Sequence, residues 1–243
     1  MPLSMINQLS IIIPVFNEQQ TIYKLLDKIA NLSLINNVKK EIIVVNDAST
    51  DASKDKIIQF ISENPSSNIV FIDQPINKGK GGAVKSGIAK ASGDYCVIQD
   101  ADLELDPTEI NTLLQPIIDN EANIVYGSRF LNNKKHEKEV LLNRMANKFL
   151  TWLSNLIMGV KLTDMQTCYK MIPTELYNQL TLKENGFAFD PEITAKLAKN
   201  KKLKWKEVPI SYHPRTKEEG KKIRWSHGFR QLYSIIKYGL FRS

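Results

Sequence analysis

The sequence predicts an α/β protein built on a doubly wound, mostly parallel central sheet with helices on both faces. Three observations predict it. Apolar runs of strand length alternate with amphipathic helical stretches through the first half of the chain, the pattern of βαβ units. The runs are separated by whole helices rather than by two-residue hairpin turns, so neighbouring strands run parallel. The polar clusters Asn17-Glu18, Asp47 to Asp51 and Asp100 to Asp102 all fall beyond strand ends. That is where open parallel sheets bind ligands.

Taken in order, Leu9 to Val15 is a first buried strand, closing on Pro14-Val15. A helical pattern follows from about Gln19 to Ala30, with Ile22, Leu25, Leu26 and Ile29 on one face. Glu41 to Asn46 is a second strand, followed by the polar turn Asp47 to Asp51 and a helix through Ile57, Ile58 and Ile61. Asn68 to Ile72 is a third strand. A lysine-containing glycine loop, Asn77 to Gly82, precedes a helix from about Ala83 to Ala91. Tyr95 to Ile98 is a fourth strand, and Pro107 to Asp119 a helix opened by Asp106-Pro107. Ala122 to Tyr126 is a fifth strand, ending at Gly127-Ser128-Arg129. Asn132 to Glu139 reads as a mobile loop, and Val140 to Met158 as a long helix whose Phe149 and Trp152 suit a core position before an interfacial one. Val160 to Ile172 is a strand-loop. Phe187 to Glu192 opens a further helix, with Asp190 as N-cap and Pro191 at the first helical position. Lys204 to Tyr212 is a strand, and His213 to Arg224 a basic turn. Trp225 to Tyr238 is a final helix with Phe229, Leu232, Tyr233 and Ile236 on one face. With no repeat or linker, the 243 residues read as one domain.

Charge is uneven. Lys183 to Ser243 carries 15 Lys/Arg against six Asp/Glu, whereas the rest of the chain is slightly acidic. A basic quarter suits nucleic acid, an anionic membrane surface or a phosphorylated substrate. No helix-turn-helix, finger or RNP-type signature accompanies it, which leaves membrane or phosphate. The two cysteines, Cys96 and Cys168, are far apart and outside any CxxC, so neither a disulfide framework nor a zinc site is expected. A reducing cytoplasm is the default, and the N-terminus lacks a signal-peptide pattern. No segment has the roughly 20 apolar residues a membrane span needs.

The chemistry centres on Asp100-Ala101-Asp102. Two carboxylates beyond a buried strand are costly without a partner. A divalent metal holding phosphate oxygens would supply one. Spacing alone leaves two solvated loop aspartates equally open. The glycine loop fits neither a dinucleotide fingerprint, because Val84 stands where the last glycine should be, nor a Walker motif, because Ile88 stands where the lysine should be. It could still bring backbone N–H groups and Lys80 to a phosphate.

Together these stretches carry a resemblance. Ile11 to Glu18, Val44 to Asp51, Asn77 to Ala83, Asp100 to Asp102, Gly127 to Arg129 and Arg215 to Lys221, in this order, resemble the family 2 glycosyltransferases of the GT-A fold. More narrowly, the chain is similar to the dolichyl- and polyprenyl-phosphate mannosyl and glucosyl synthases. The resemblance implies a nucleotide-sugar-binding half over about residues 9–130 and an acceptor-binding half over about 131–243. It implies an inverting transfer of a hexose from GDP-mannose or UDP-glucose to a lipid phosphate. Pro14, Asn17, Glu18, Asp47, Asp51, Lys80, Asp100, Ala101, Asp102 and Gln166 would bind the nucleotide sugar. Family members often carry two aspartates where Asn46-Asp47 stands here. Asp100 and Asp102 would hold Mg²⁺ or Mn²⁺. Arg129, Arg144, Arg215 and Lys221 would bind the acceptor phosphate. Asp102, Arg129, Asp164 and Arg215 are the catalytic candidates, with Asp164 a base should the acceptor be a hydroxyl. Glu192 is a further sugar or acceptor contact. The helix around Phe149 to Met158 and the final helix, with Trp225, Phe229, Tyr233, Lys237 and Tyr238, could lie at a bilayer interface. The expected setting is peripheral on the cytoplasmic membrane face, alone or with an integral-membrane partner, and without nucleic acid. A glycosyltransferase acting on a glycan hydroxyl, and a non-catalytic nucleotide-sugar-binding module, are the alternatives.

Overall fold

The computed structural model describes residues 6–131, 141–215 and 225–241, with backbone alone at 141 and 225–227. The elements run β1 (Gln8–Val15), α1 (Ile22–Ala30), β2 (Lys39–Asn46), α2 (Ser53–Glu63), β3 (Ile69–Asp73), α3 (Lys80–Ile88), β4 (Tyr95–Ile98), α4 (Ile110–Ile118), β5 (Ile124–Ser128), α5 (Leu141–Met158), β6 (Lys170–Pro173), α6 (Thr174–Gln179), α7 (Phe189–Ala198), β7 (Trp205–Pro209) and α8 (Trp225–Leu240). One sheet takes all seven strands in the order β3-β2-β1-β4-β6-β5-β7. Every pairing is parallel except those of β6, which runs antiparallel to β4 and β5.

The two-residue period of β1 divides the core. Ile11 and Ile13 face α1, α2 and α4, through Leu25, Phe60 and Leu113. Ile12 faces the opposite layer of α3, α5, α7 and α8, through Val84, Leu150, Ile193 and Ile235. Both faces of the sheet are covered, and so β1 and β2 read as continuous apolar runs rather than alternating ones.

Several elements differ from the sequence expectation. The helix expected from Ala83 begins at Lys80, so Lys80, Gly81 and Gly82 form its first turn. The N-cap of α7 is Ala188, not Asp190: the Asp190 carboxylate instead accepts from the buried Lys170 Nζ at 2.5 Å. Helix α6 was not anticipated, being too short to show a periodicity. Phe149 and Trp152 are not core residues; they are 52% and 58% exposed. On α8 the buried side chains are Ser234, Ile235 and Tyr238, whereas Phe229, Tyr233 and Ile236 face outward. Tyr238, expected at an interface, sits inside with its hydroxyl donating to Glu184. The loop expected over Asn132 to Glu139 and the basic turn beyond Arg215 lie outside the described residues.

Candidate active site

Beyond the carboxyl ends of β1, β2 and β4, the loops open on a cleft of about 800 Å³. Its floor is the turn after β4, carrying Asp100, Ala101 and Asp102. Ala101 is fixed there because its carbonyl accepts from Thr21 Oγ1 at 2.6 Å, tying the turn to the start of α1. Lys80, on the first turn of α3, reaches Asp100 Oδ1 at 2.7 Å and Cys168 Sγ at 2.9 Å. The Cys168 thiol donates to the same carboxylate. Burial pushes the Asp100 carboxyl up, but the Lys80 ammonium, the Cys168 hydrogen bond and the Lys170 charge together outweigh it and hold the group below its ordinary value.

Asp102 has the opposite balance. Burial, then the charges of Asp100 and Glu104, push its carboxyl up to about 7, with Arg215 pulling the other way. Arg215 is the hub of this corner. Its fork meets both Glu18 oxygens at 2.9 and 3.1 Å, its Nη2 lies 3.4 Å from Asp102, and its backbone N–H donates to Glu104 at 2.9 Å. Four carboxylates, Glu18, Asp100, Asp102 and Glu104, therefore share this corner with two cations, Lys80 and Arg215. The excess of negative charge falls on hard oxygen donors, which suits Mg²⁺ or Mn²⁺. Among the described residues no three metal-ligating side chains converge to cage an ion. Mg²⁺ commonly takes only one or two carboxylates, with phosphate and water completing its shell.

Arg129 enters from the end of β5. Its Nε and Nη2 form a bidentate pair with Asp164 at 2.7 and 2.8 Å, and the ring of Tyr212 lies 5.1 Å from its guanidinium carbon. Asp164 is fully buried. Its own backbone N–H, with that of Thr163, donates to the Glu207 carboxylate on β7. Burial opposes the charge on Arg129, and Asp164 more than restores it, so the guanidinium titrates above its ordinary range. Asp164 therefore meets Arg129 from a buried position.

The other expected site residues divide. Pro14, Glu18, Asp47, Lys80, Gln166, Arg129 and Arg215 line the cleft with the Asp100–Asp102 turn. The Asp47 carboxylate accepts from the backbone N–H groups of Lys78 and Gly79 at 2.8 and 2.9 Å, and burial raises it. Asn17 and Asp51 are turned to the loops instead: Asn17 Oδ1 accepts from Thr50 N, and Asp51 from Gln19 N and Ser53 N. Glu192 is fully buried, accepting from Lys183 N, Glu184 N and Lys196, which removes it from the cleft wall. Arg144 stacks on Phe130, 5.7 Å from its ring centre, and is not among the lining residues. Lys221 lies outside the described residues. Asn46 is buried, donating to Asp73 at 2.7 Å; an aspartate there would bring two carboxylates together.

The glycine loop brings Gly79 and Lys80 to the cleft and also serves packing. A Cβ on Gly81 would stand 2.8 Å from Phe189 Cβ and 2.9 Å from the Glu184 carbonyl, and Gly82 N donates to the Asn185 carbonyl. The glycines let the 184–186 segment close onto α3. Glu104, Asp190, Tyr212 and Gln231 also line the cleft and were not singled out from sequence as site residues. Only Glu104 left a signal, standing two residues beyond Asp102.

This seven-stranded sheet, with its acidic turn beyond β4, has the arrangement of the GT-A fold. The same architecture occurs in glucosyl-3-phosphoglycerate synthase of Mycobacterium tuberculosis, solved with Mn²⁺, UDP and phosphoglyceric acid. The likeness has a TM-score of 0.71 at 18% identity, over 98% of this chain and 80% of that one. Residues 10–181 match the model of Glycosyl transferase family 2, and the chain belongs to that family. It is 31% identical to a dolichyl-phosphate beta-glucosyltransferase of Dictyostelium discoideum, over 88% of this chain and 68% of the relative. It is 29% identical to a dolichol-phosphate mannosyltransferase of Pyrococcus furiosus, over 95% of this chain and 64% of the relative.

Proposed function

We propose that the protein moves a hexose from a nucleotide sugar, GDP-mannose or UDP-glucose, to a polyprenyl or dolichyl phosphate, with inversion at the anomeric carbon. The observation that carries this reading is the distribution of charge in the cleft. Two arginines from the later part of the fold, Arg129 and Arg215, face the same cavity as the Asp100–Asp102 turn. Among the described residues, every carboxylate lining that cavity already has a partner: Glu18, Asp102 and Glu104 on Arg215, Asp47 on backbone N–H groups, Asp100 on Lys80, Asp190 on Lys170. An acceptor hydroxyl needs a general base, whereas a phosphate is already ionised near neutral pH and needs cations. Arg129 and Arg215 bring that positive charge to the cleft, each holding a carboxylate, Asp164 and Glu18, with which an arriving phosphate would exchange. Relatives named for dolichyl-phosphate acceptors support the same choice. Mg²⁺ or Mn²⁺ held by Asp100 and Asp102 would neutralise charge on the departing diphosphate.

The reading has the enzyme peripheral on a membrane, at its cytoplasmic face, with or without an integral-membrane partner. No helix among the described residues is long and apolar enough to cross one. Helix α5 presents Leu142, Met145, Phe149, Trp152 and Leu156 outward at alternating steps of three and four, one continuous apolar stripe. The neighbouring α8 adds Phe229, Tyr233, Ile236 and Leu240. At the far end of both stripes, exposed Lys199 and Lys201 approach the carbonyls of Phe241 and Met158, beside exposed Lys202 and Lys204. An apolar face rimmed by lysines suits an anionic lipid surface.

The test is diphosphate release from UDP-glucose, UDP-N-acetylglucosamine and GDP-mannose, each with Mn²⁺, with and without polyprenyl phosphate. Lipid-dependent release from one donor is expected. Release indifferent to lipid moves the acceptor to a glycan.

A further inference from the structure

Gln166 and Gln231 line the cleft and take no part in the reading above. Gln166 Oε1 accepts from Gln231 Nε2 at 2.7 Å, and Gln231 Nε2 also points to the Phe187 carbonyl at 3.4 Å. Gln166 Nε2 is buried with no hydrogen-bond partner among the described residues. A buried N–H without an acceptor costs free energy comparable to its full desolvation. A turn of the Gln166 amide toward the cleft would let an acceptor on the bound substrate remove that cost.

The chemistry of the pair narrows what the substrate brings. A phosphate offers only acceptors and is met by donors, as at Arg129 and Arg215. The amide pair instead offers an N–H donor from Gln166 and the Gln231 carbonyl, which makes no hydrogen bond among the described residues. One donor beside one acceptor matches a hydroxyl, which both accepts and donates. Neither amide carries charge, so the pair suits a neutral sugar.

We infer that Gln166 and Gln231 form a hydroxyl-reading wall for the transferred hexose, Gln231 being supplied by α8. This rests on the nucleotide-sugar reading and adds to it a specificity site. Gln231 lies between Phe229 and Tyr233, which face outward from the same helix. The helix that exposes an apolar stripe therefore also builds part of the sugar wall.

The experiment is titration calorimetry of the whole chain with Mn²⁺ and UDP, UDP-glucose, GDP or GDP-mannose. The proteins are wild type, Gln166→Leu, Gln231→Leu and the near-isosteric Gln231→Glu. For the donor that wild type binds, the ratio of sugar-nucleotide to diphosphate affinity should fall about tenfold in the leucine variants. The diphosphate Kd itself should stay within about twofold, which a misfolded or displaced site would not allow. A donor analogue lacking the contacted hydroxyl should bind wild type and Gln231→Leu alike, the coupling expected of a direct contact. An unchanged ratio overturns the inference and leaves the transferase reading standing. Equal losses for diphosphate and donor in folded Gln231→Glu overturn it in favour of a purely structural pair. A wild-type chain that binds none of the four overturns the transferase reading itself, and this inference with it.

Discussion

Arg215 and Glu18 meet in a two-pronged ion pair across 197 residues of sequence, joining the loop after β1 to the segment after β7. The same guanidinium lies 3.4 Å from Asp102, so a single side chain balances much of the negative charge around the Asp100–Asp102 turn. Lysine keeps the charge but cannot fork. Arg215→Lys is expected to lower kcat/KM by about tenfold to a hundredfold through loss of paired charge-assisted bonds. Steady-state diphosphate release checks it; a variant at wild-type rate would remove Arg215 from the machinery.

Asp164 separates two roles by its burial. As a base it would lose catalysis with little change in stability. As the holder of Arg129 it is half of a buried pair, and removing it leaves a guanidinium unpaired. Asp164→Ala is expected to cost about 3–5 kcal/mol of stability. Asp164→Asn should retain part of the activity with an unchanged pH profile. Urea unfolding and a pH–rate profile on both variants decide between the roles.

What could be read before the fold was known follows from locality. Strand ends and their polar clusters are contiguous in sequence, so Glu18, Asp47 and Asp100 to Asp102 were legible as one site edge. Gln231 and Tyr212 were not, because they reach the cleft from elements far along the chain, and nothing local marks them. The apolar stripe of α5 was legible as a stripe, but periodicity is the same for a core-facing and a surface-facing row. Asp190 followed by Pro191 looks like a helix cap; the competing Lys170 is 20 residues earlier and buried, and it took the carboxylate. The antiparallel β6 is only four residues long, Lys170–Pro173, too short to show in sequence which way it runs.

The outward stripes predict a surface phenotype without a folding one. Trp152 and Phe229 are 58% and 76% exposed, so charge there costs the fold little. Trp152→Glu with Phe229→Glu should reduce co-sedimentation with vesicles of any composition. Lys201→Glu with Lys202→Glu should reduce it only on anionic vesicles at low salt, because the lysine contribution is screened. Equal binding by all variants would remove this face from membrane contact.

Acid stability should depend on Glu41. Burial alone would raise its carboxyl, but hydrogen bonds from Ser10 Oγ, at 2.5 Å, and from Ser92 hold it below the ordinary 4.5. A carboxyl depressed on folding contributes its stability above its unfolded value and loses it as pH falls through the folded one. Wild type should therefore lose stability on acidification below pH 4.5. Glu41→Gln, with no charge to lose, should be less stable at neutral pH and show a flatter acid limb in urea melts.

Gly81 distinguishes a phosphate cradle from a packing surface. In a cradle, alanine would obstruct the ligand and leave the fold intact. Here the added Cβ meets Phe189, Glu184 and Asn185 at 2.8 to 3.0 Å, two of these contacts being backbone atoms. The 184–186 segment must move, which strains the Gly82 N–H bond to the Asn185 carbonyl. Gly81→Ala is expected to destabilise by about 1–3 kcal/mol, as overpacked sites do. Diphosphate affinity should fall too, because Lys80 shares the displaced turn of α3 and sets the charge on Asp100. Lost diphosphate binding at full stability would return the glycines to the phosphate; lost stability with weakened binding is the outcome the packing requires.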